Sequence, residues 1–145
     1  MSFEEVCVVG LGYVGLPTAA ALATQGIKVL GVDINKSIVD TINKGEIHIV
    51  EPELDVAVQA AVTRGNLRAS ESPERSDAFL IAVPTPFKKD NEPDLVYIEN
   101  AARMIAPFLE PGSLVILEST VPIGTTRQLS AWLAEERTDL SFPEL

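Results

Sequence analysis

The sequence predicts a doubly wound parallel sheet in a three-layer α/β/α arrangement, and three observations predict it. Short β-branched, apolar runs alternate with stretches of helical periodicity along the chain. The pattern G-x-G-x-x-G, at Gly10-Leu11-Gly12-Tyr13-Val14-Gly15, stands between the first such run and the first helix. An aspartate, Asp33, closes the second run, in the range expected after those glycines.

Each element follows from its residues. Val6-Cys7-Val8-Val9 is continuous and apolar, ends at Gly10, and reads as a buried strand. Leu16 to Ala23 is alanine-rich, with Pro17 in a first turn where its missing N–H costs little and Gly26 as the stop. Lys28 to Asp33 is the second strand, completing a βαβ unit whose crossover is right-handed. Lys36 to Lys44 carries Ile38, Val39 and Ile42 on one helical face, with Gly45 as the stop. Leu54, Ala57, Val58, Ala61 and Val62 keep helical spacing up to Gly65. Leu67 to Ala69 is a weak strand, and Ala78 to Val83 is a strong one stopped by Pro84. A polar, proline-bearing loop at 84–94 leads to Ile98, Ala101, Ala102, Ile105, Phe108 and Leu109, again at helical spacing. Pro111-Gly112 turns the chain into Leu114 to Leu117, a fifth strand, and a last helix runs from about Thr125 to Arg137. The expected organisation is one domain over 1–137, with 138–145 as the start of a connection to a further part.

Composition narrows the function classes. The 145 residues are 46% hydrophobic and 22% charged, which excludes general disorder. No apolar run approaches the roughly 20 residues of a membrane helix, and the N-terminal Met1-Ser2-Phe3-Glu4-Glu5 is acidic where a secretion signal is basic. A cytoplasmic protein without membrane partner is expected. The net charge of −10, without a basic run, argues against nucleic acid as a partner. A single cysteine, Cys7, excludes an internal disulfide and a cysteine zinc site, and no metal is expected.

The glycine pattern carries the chemistry. Gly10 allows the tight turn out of the strand, Gly12 lets a pyrophosphate approach the backbone, and Gly15 lets helix and strand pack closely. The helix N-terminus offers free N–H groups and a partial positive charge, so an acidic chain can hold a diphosphate. The carboxylate of Asp33 suits the two hydroxyls of an adenosine ribose, although Asp33 taken alone would also serve as a helix N-cap. Against a 2′-phosphate it would cost about 4 kcal/mol at 4 Å with an effective dielectric of about 20. NAD rather than NADP is the expected cofactor of this Rossmann-type domain, with Lys36 the nearest cation able to soften the bias.

Together, Gly10-Leu11-Gly12-Tyr13-Val14-Gly15-Leu16-Pro17, Val83-Pro84-Thr85-Pro86 and Glu118-Ser119-Thr120-Val121-Pro122-Ile123-Gly124-Thr125-Thr126 resemble the NAD-binding domain of the UDP-glucose/GDP-mannose dehydrogenase family. The segments 45–52 and 81–88 resemble the branch that oxidises UDP-N-acetyl-D-mannosamine to its uronate, reducing two NAD. The resemblance implies a UDP-sugar substrate for the full-length parent, a homo-oligomeric parent, and a nucleophilic cysteine and a lysine that both lie downstream of this chain. It implies cofactor contacts from Tyr13, Val14, Asp33, Thr85, Thr120 and Thr126, beside Gly10, Gly12 and Gly15. Thr120 carries at most an assisting catalytic role, and no catalytic residue is assigned in this chain. The chain alone is expected to bind NAD without turnover. Two alternatives stay open: a non-enzymatic NAD-binding module, and the NAD half of a hydroxyacid or phosphogluconate-type dehydrogenase.

Other residues have plainer readings. Cys7 is a small core hydrophobe. His48, without a partner nearby in sequence, is a structural hydrogen-bonder, and Trp132 with Leu129 and Leu133 is core. Glu118 reads equally as a cofactor-facing group or as a strand-end carboxylate bonded to backbone. Each threonine alone would serve as a cap or loop hydrogen-bonder. The 87–93 loop reads first as a solvated connection and second as a mobile cover near the cofactor, both readings staying open, and Glu144 is given no role.

Overall fold

The structure, a computed structural model, describes residues 2–143, so Glu144 and Leu145 lie outside it. Five parallel strands form one sheet in the order β3-β2-β1-β4-β5. They are β1 (Glu5–Val9), β2 (Lys28–Val32), β3 (Leu67–Ser70), β4 (Ala78–Ile81) and β5 (Leu114–Leu117). The helices are α1 (Gly15–Thr24), α2 (Lys36–Asn43), α3 (Leu54–Thr63), α4 (Val96–Ile105) and α5 (Thr125–Glu136), with a 3₁₀ turn, Ala106–Phe108, extending α4. The expected doubly wound α/β/α sheet is the one observed.

Strand periodicity divides the core. Val6, Val8, Val29 and Ala78 face α1, α2 and α3, where Leu16, Ala19, Val39, Ile42, Leu54 and Val58 meet them. Cys7, Val9, Leu30, Val32, Phe79 and Ile81 face the opposite layer and pack on Ile98, Ala102, Ile105, Leu129 and Leu133 of α4 and α5. Both faces of the central strands are therefore dry, as continuous apolar runs require. Burying a side chain such as Phe79 or Ile81 contributes about 1.5–3 kcal/mol each.

Three element ends differ from the sequence reading by more than one residue. β4 ends at Ile81 rather than Val83, because its partner β1 ends at Val9 and the ladder closes with Ala82 N–H donating to Val9 O at 2.8 Å. Next to it Gly10 turns away with φ of 96°. The helix read from Ile98 begins at Val96, where Asp94 Oδ1 accepts the Val96 N–H at 3.1 Å. Its last turn tightens to 3₁₀ at Pro107, which has no N–H for an α-helical bond.

Residues past Arg137 stay against the domain. Leu140 and Phe142 pack on the α4–α5 side of the core, and Arg137 donates to Ala106 O at 2.9 Å and Leu109 O at 2.7 Å. Among the described residues no helix is long and apolar enough to cross a membrane. None of the described His, Cys, Asp and Glu side chains cluster in threes that could hold a metal ion.

Candidate functional site

The order β3-β2-β1-β4-β5 reverses direction between β1 and β4: one connection leads out to β2, the other to β5. Ligands of open parallel sheets bind beyond the carboxyl ends of the strands at such a switch point. A cleft of about 490 Å³ lies there.

Its floor is the turn from β1 to α1. Gly10 is packed so closely on β4 that a Cβ would lie 2.6 Å from Ala82 O. A Cβ on Gly15 would lie 1.7 Å from Gly10 O, so Gly15 seals the turn from beneath and does not face the cleft. Gly12 is the opposite case, because a Cβ there would meet nothing within 4 Å. The space it leaves open belongs to the cleft. The first turn of α1 has no side-chain cap at Val14 and no acidic residue. Within that turn Leu16 N–H donates to Gly12 O at 3.1 Å and Pro17 has no N–H, so what the cleft offers an anion is the main chain of the Gly12–Val14 segment at the positive end of the helix. Among the described residues the cleft has no lysine or arginine in its lining, so an anion there is held by main chain.

Asp33 stands at the β2 side. Its Oδ2 accepts the Leu11 N–H at 3.1 Å and its Oδ1 accepts the Asn35 N–H at 2.9 Å. The carboxylate is thereby held in a fixed plane with a lone pair left on each oxygen, an acceptor pair suited to a vicinal diol. Asp33 is not the N-cap of α2. Asn35 fills that position, its side chain accepting from Ser37 N–H at 3.0 Å. Lys36 is turned away into a pair with Asp40, Nζ to Oδ2 at 2.8 Å, so it offers the cleft no competing cation.

The β4 and β5 side is stitched by hydroxyls. Thr85 Oγ1 donates to Thr120 O at 2.8 Å, and Ser119 Oγ donates to Val83 O at 2.8 Å. Since a hydroxyl has one proton, Thr85 Oγ1 can only accept from a ligand, whereas the Thr120 hydroxyl has no partner within the described chain. Tyr13, Val14, Thr85 and Thr120 line the cleft together with Gly10, Gly12 and Asp33. Thr126 does not. It lines a separate groove of about 470 Å³ at the β5 edge, between α5 and residues 139–143.

The sequence reading missed the apolar walls. Ile34, Ile38, Tyr97 and Met104 face the cleft, and Ile34 is 73% exposed. An isoleucine directly after the strand-ending aspartate was a signal that could have marked this wall, whereas Tyr97 and Met104 come from a helix whose face only the fold reveals. It also missed Gly31, where a Cβ would lie 2.8 Å from Leu11 Cδ2 and displace the loop that Asp33 holds.

Cys7 is fully buried, and burial pushes its thiol up to about 12. His48 is exposed on the α2–α3 connection. Trp132 is half-buried against the core. The 87–93 loop is exposed apart from Pro93 and folds as a turn closed by an antiparallel bridge between Phe87 and Pro93.

The NAD binding domain profile of the UDP-glucose/GDP-mannose dehydrogenase family matches residues 4–144. A UDP-N-acetyl-D-mannosamine dehydrogenase of Campylobacter jejuni is 65% identical over 142 residues, covering 97% of this chain and 35% of the relative. An NDP-N-acetyl-D-galactosaminuronic acid dehydrogenase of Ralstonia solanacearum is 62% identical over 143 residues, covering 99% of this chain and 34% of the relative. The solved UDP-N-acetyl-mannosamine dehydrogenase of Staphylococcus aureus superposes with a TM-score of 0.89 at 38% identity, over 95% of this chain and 34% of that one. The chain thus spans about a third of the length of the curated relatives it matches.

Proposed function

The chain belongs to the UDP-glucose/GDP-mannose dehydrogenase family as its NAD-binding domain, and from that premise we propose that the cleft at the β1–β4 switch point binds NAD for the oxidation of a UDP-sugar by a longer parent protein. The observation that carries this reading is the meeting, in one cleft, of the uncapped first turn of α1 over Gly12 with the fixed acceptor pair of Asp33. In this reading the main chain of Gly12, Tyr13 and Val14 holds the pyrophosphate, and Asp33 accepts both hydroxyls of the adenosine ribose. Ile34 and Tyr97 flank the adenine, and Thr85 and Thr120 border the nicotinamide. The cofactor supplies hydride acceptance, and the residues of this chain bind it, orient it and exclude the 2′-phosphate of NADP. Thr126 joins the site only if the segment after β5 moves, since it faces the β5-edge groove.

The parent reaction we propose is the oxidation of UDP-N-acetyl-D-mannosamine to its uronate with two NAD reduced, in a cytoplasmic homo-oligomer. The names of the relatives at 60–65% identity support a sugar nucleotide with an N-acetylated hexose. The 1–137 unit is the NAD-binding domain, and 138–145 begins the connection to the remainder of the parent. The chain alone binds without turnover: its single thiol is shut inside the sheet and held protonated, so the nucleophile must come from elsewhere.

Calorimetry with NAD and NADP, followed by NADH absorbance with UDP-N-acetyl-D-mannosamine, tests the reading. NAD binding by the chain is expected, with NADH formed only by the parent. NADH production by the 145-residue chain alone, or no NAD binding at all, sinks it.

A further inference from the structure

Glu118, one residue past β5, joins the two halves of the cleft from beneath. Its N–H donates to Ile81 O at 2.8 Å, in line with the β4–β5 ladder. The next two residues, Ser119 and Thr120, face the cleft. The Glu118 side chain turns the other way, toward α1, and its Oε1 accepts from Thr18 Oγ1 at 2.6 Å. Thr18 lies one helical turn beyond Val14, its N–H donating to Val14 O at 3.3 Å. A single short hydrogen bond therefore links the end of β5 to the helix whose first turn floors the cleft.

The second oxygen is the unusual feature. Glu118 Oε2 is shut off from solvent, and no donor among the described residues reaches it. A carboxylate oxygen buried without a partner costs the folded state the desolvation of that atom. A side chain serving packing alone would be better apolar at this place. The residue is thus held at a cost to stability, a pattern that points to function.

We propose that Glu118 is a positioning residue for the cofactor. Through Thr18 it sets the Ser119–Thr120 wall, beside which the nicotinamide would lie, against the turn of α1 that would hold the pyrophosphate. The inference rests on the NAD reading above and adds to it a residue that touches no cofactor atom.

The test uses the 145-residue chain with Glu118→Met, Glu118→Gln and Thr18→Val, titrated calorimetrically with NAD and with ADP-ribose, which lacks the nicotinamide. Glu118→Met and Thr18→Val are expected to weaken NAD about tenfold while ADP-ribose changes by less than about twofold. Glu118→Gln keeps an acceptor for Thr18 and should restore most of the NAD affinity. The melting temperature of Glu118→Met should not fall. Parallel losses for both ligands, or a melting temperature that falls with the affinity, would make Glu118 merely structural and overturn the proposal. Unchanged NAD binding in the Thr18→Val variant overturns it as well, and keeps the proposal open to refutation if Glu118→Met fails to fold. A wild-type chain that binds ADP-ribose and NAD with no difference overturns the positioning role alone, whereas one that binds neither overturns the NAD reading with it.

Discussion

The Asp33 carboxylate reaches back to the Leu11 N–H at 3.1 Å, so the residue that ends β2 also shapes the glycine turn that follows β1. Leu11 is fully buried, and its side chain fills the gap left by the missing side chain of Gly31. The ribose acceptor and the phosphate-binding turn are thus one mechanical unit. Asp33→Ala should weaken NAD by about 1.5–3 kcal/mol, the worth of a hydrogen bond to a charged group. It should also narrow the preference for NAD over NADP, because Lys36 is already engaged by Asp40. Paired calorimetric titrations check this; an undiminished NAD preference in the variant would refute the role.

Gly12 and Gly15 should separate binding from folding. Alanine at Gly12 enters open space, so stability should change by no more than about 0.5 kcal/mol while NAD affinity falls at least about tenfold, because the methyl occupies ligand volume. Alanine at Gly15 meets Gly10 O at 1.7 Å and should cost about 3 kcal/mol or more of stability. Thermal melts beside titrations distinguish the two, and equal stability losses would show that Gly12 is structural.

Cys7 makes stability fall at alkaline pH. Burial raises its folded pKa from an ordinary value near 9 to about 12. Between those values the unfolded chain releases a proton that the folded one keeps, so the unfolded state gains about 1.4 kcal/mol per pH unit. Urea titrations at pH 9, 10 and 11 should show this slope, and Cys7→Ala should remove it. A slope that persists in the variant would assign it to another group.

Acid acts in the opposite sense through Asp77. The Glu5 and Glu4 N–H groups both donate to Asp77 Oδ2, at 3.0 and 2.8 Å, and hold its carboxyl below the usual range. A lowered folded pKa stabilises above the unfolded value and is lost as pH falls through the folded one. Asp77→Asn should therefore flatten the loss of stability below about pH 4, the ordinary carboxylate range, with little effect at pH 7 on NAD binding at the far end of the sheet. Acid titration of the circular dichroism signal, compared with wild type, is the check.

Much of the fold was legible because burial leaves a local trace. The apolar runs at 6–9 and 78–81 and the helical spacing of Ile98, Ala101, Ala102 and Ile105 each record a surface that must be covered. The glycines and Asp33 were legible for the same kind of reason, since a tight turn and a strand-end carboxylate need particular residues at particular places. The N-cap was less so: Asp33 and Asn35 are chemically similar candidates, and only the path of the chain hands the role to Asn35.

What the chain's order of residues determined by itself was the succession of elements, the glycine turn and the acceptor at its side. Folding alone decided that Thr120 faces the cleft while Thr126 faces the β5-edge groove. It also brought Tyr97 and Ile34 into one cleft and placed Glu118 against Thr18, a hundred residues earlier. The reason is physical: periodicity encodes which face of an element is dry, but not which other element dries it. That pairing is settled by strand order and by the crossovers that lay each helix on its sheet.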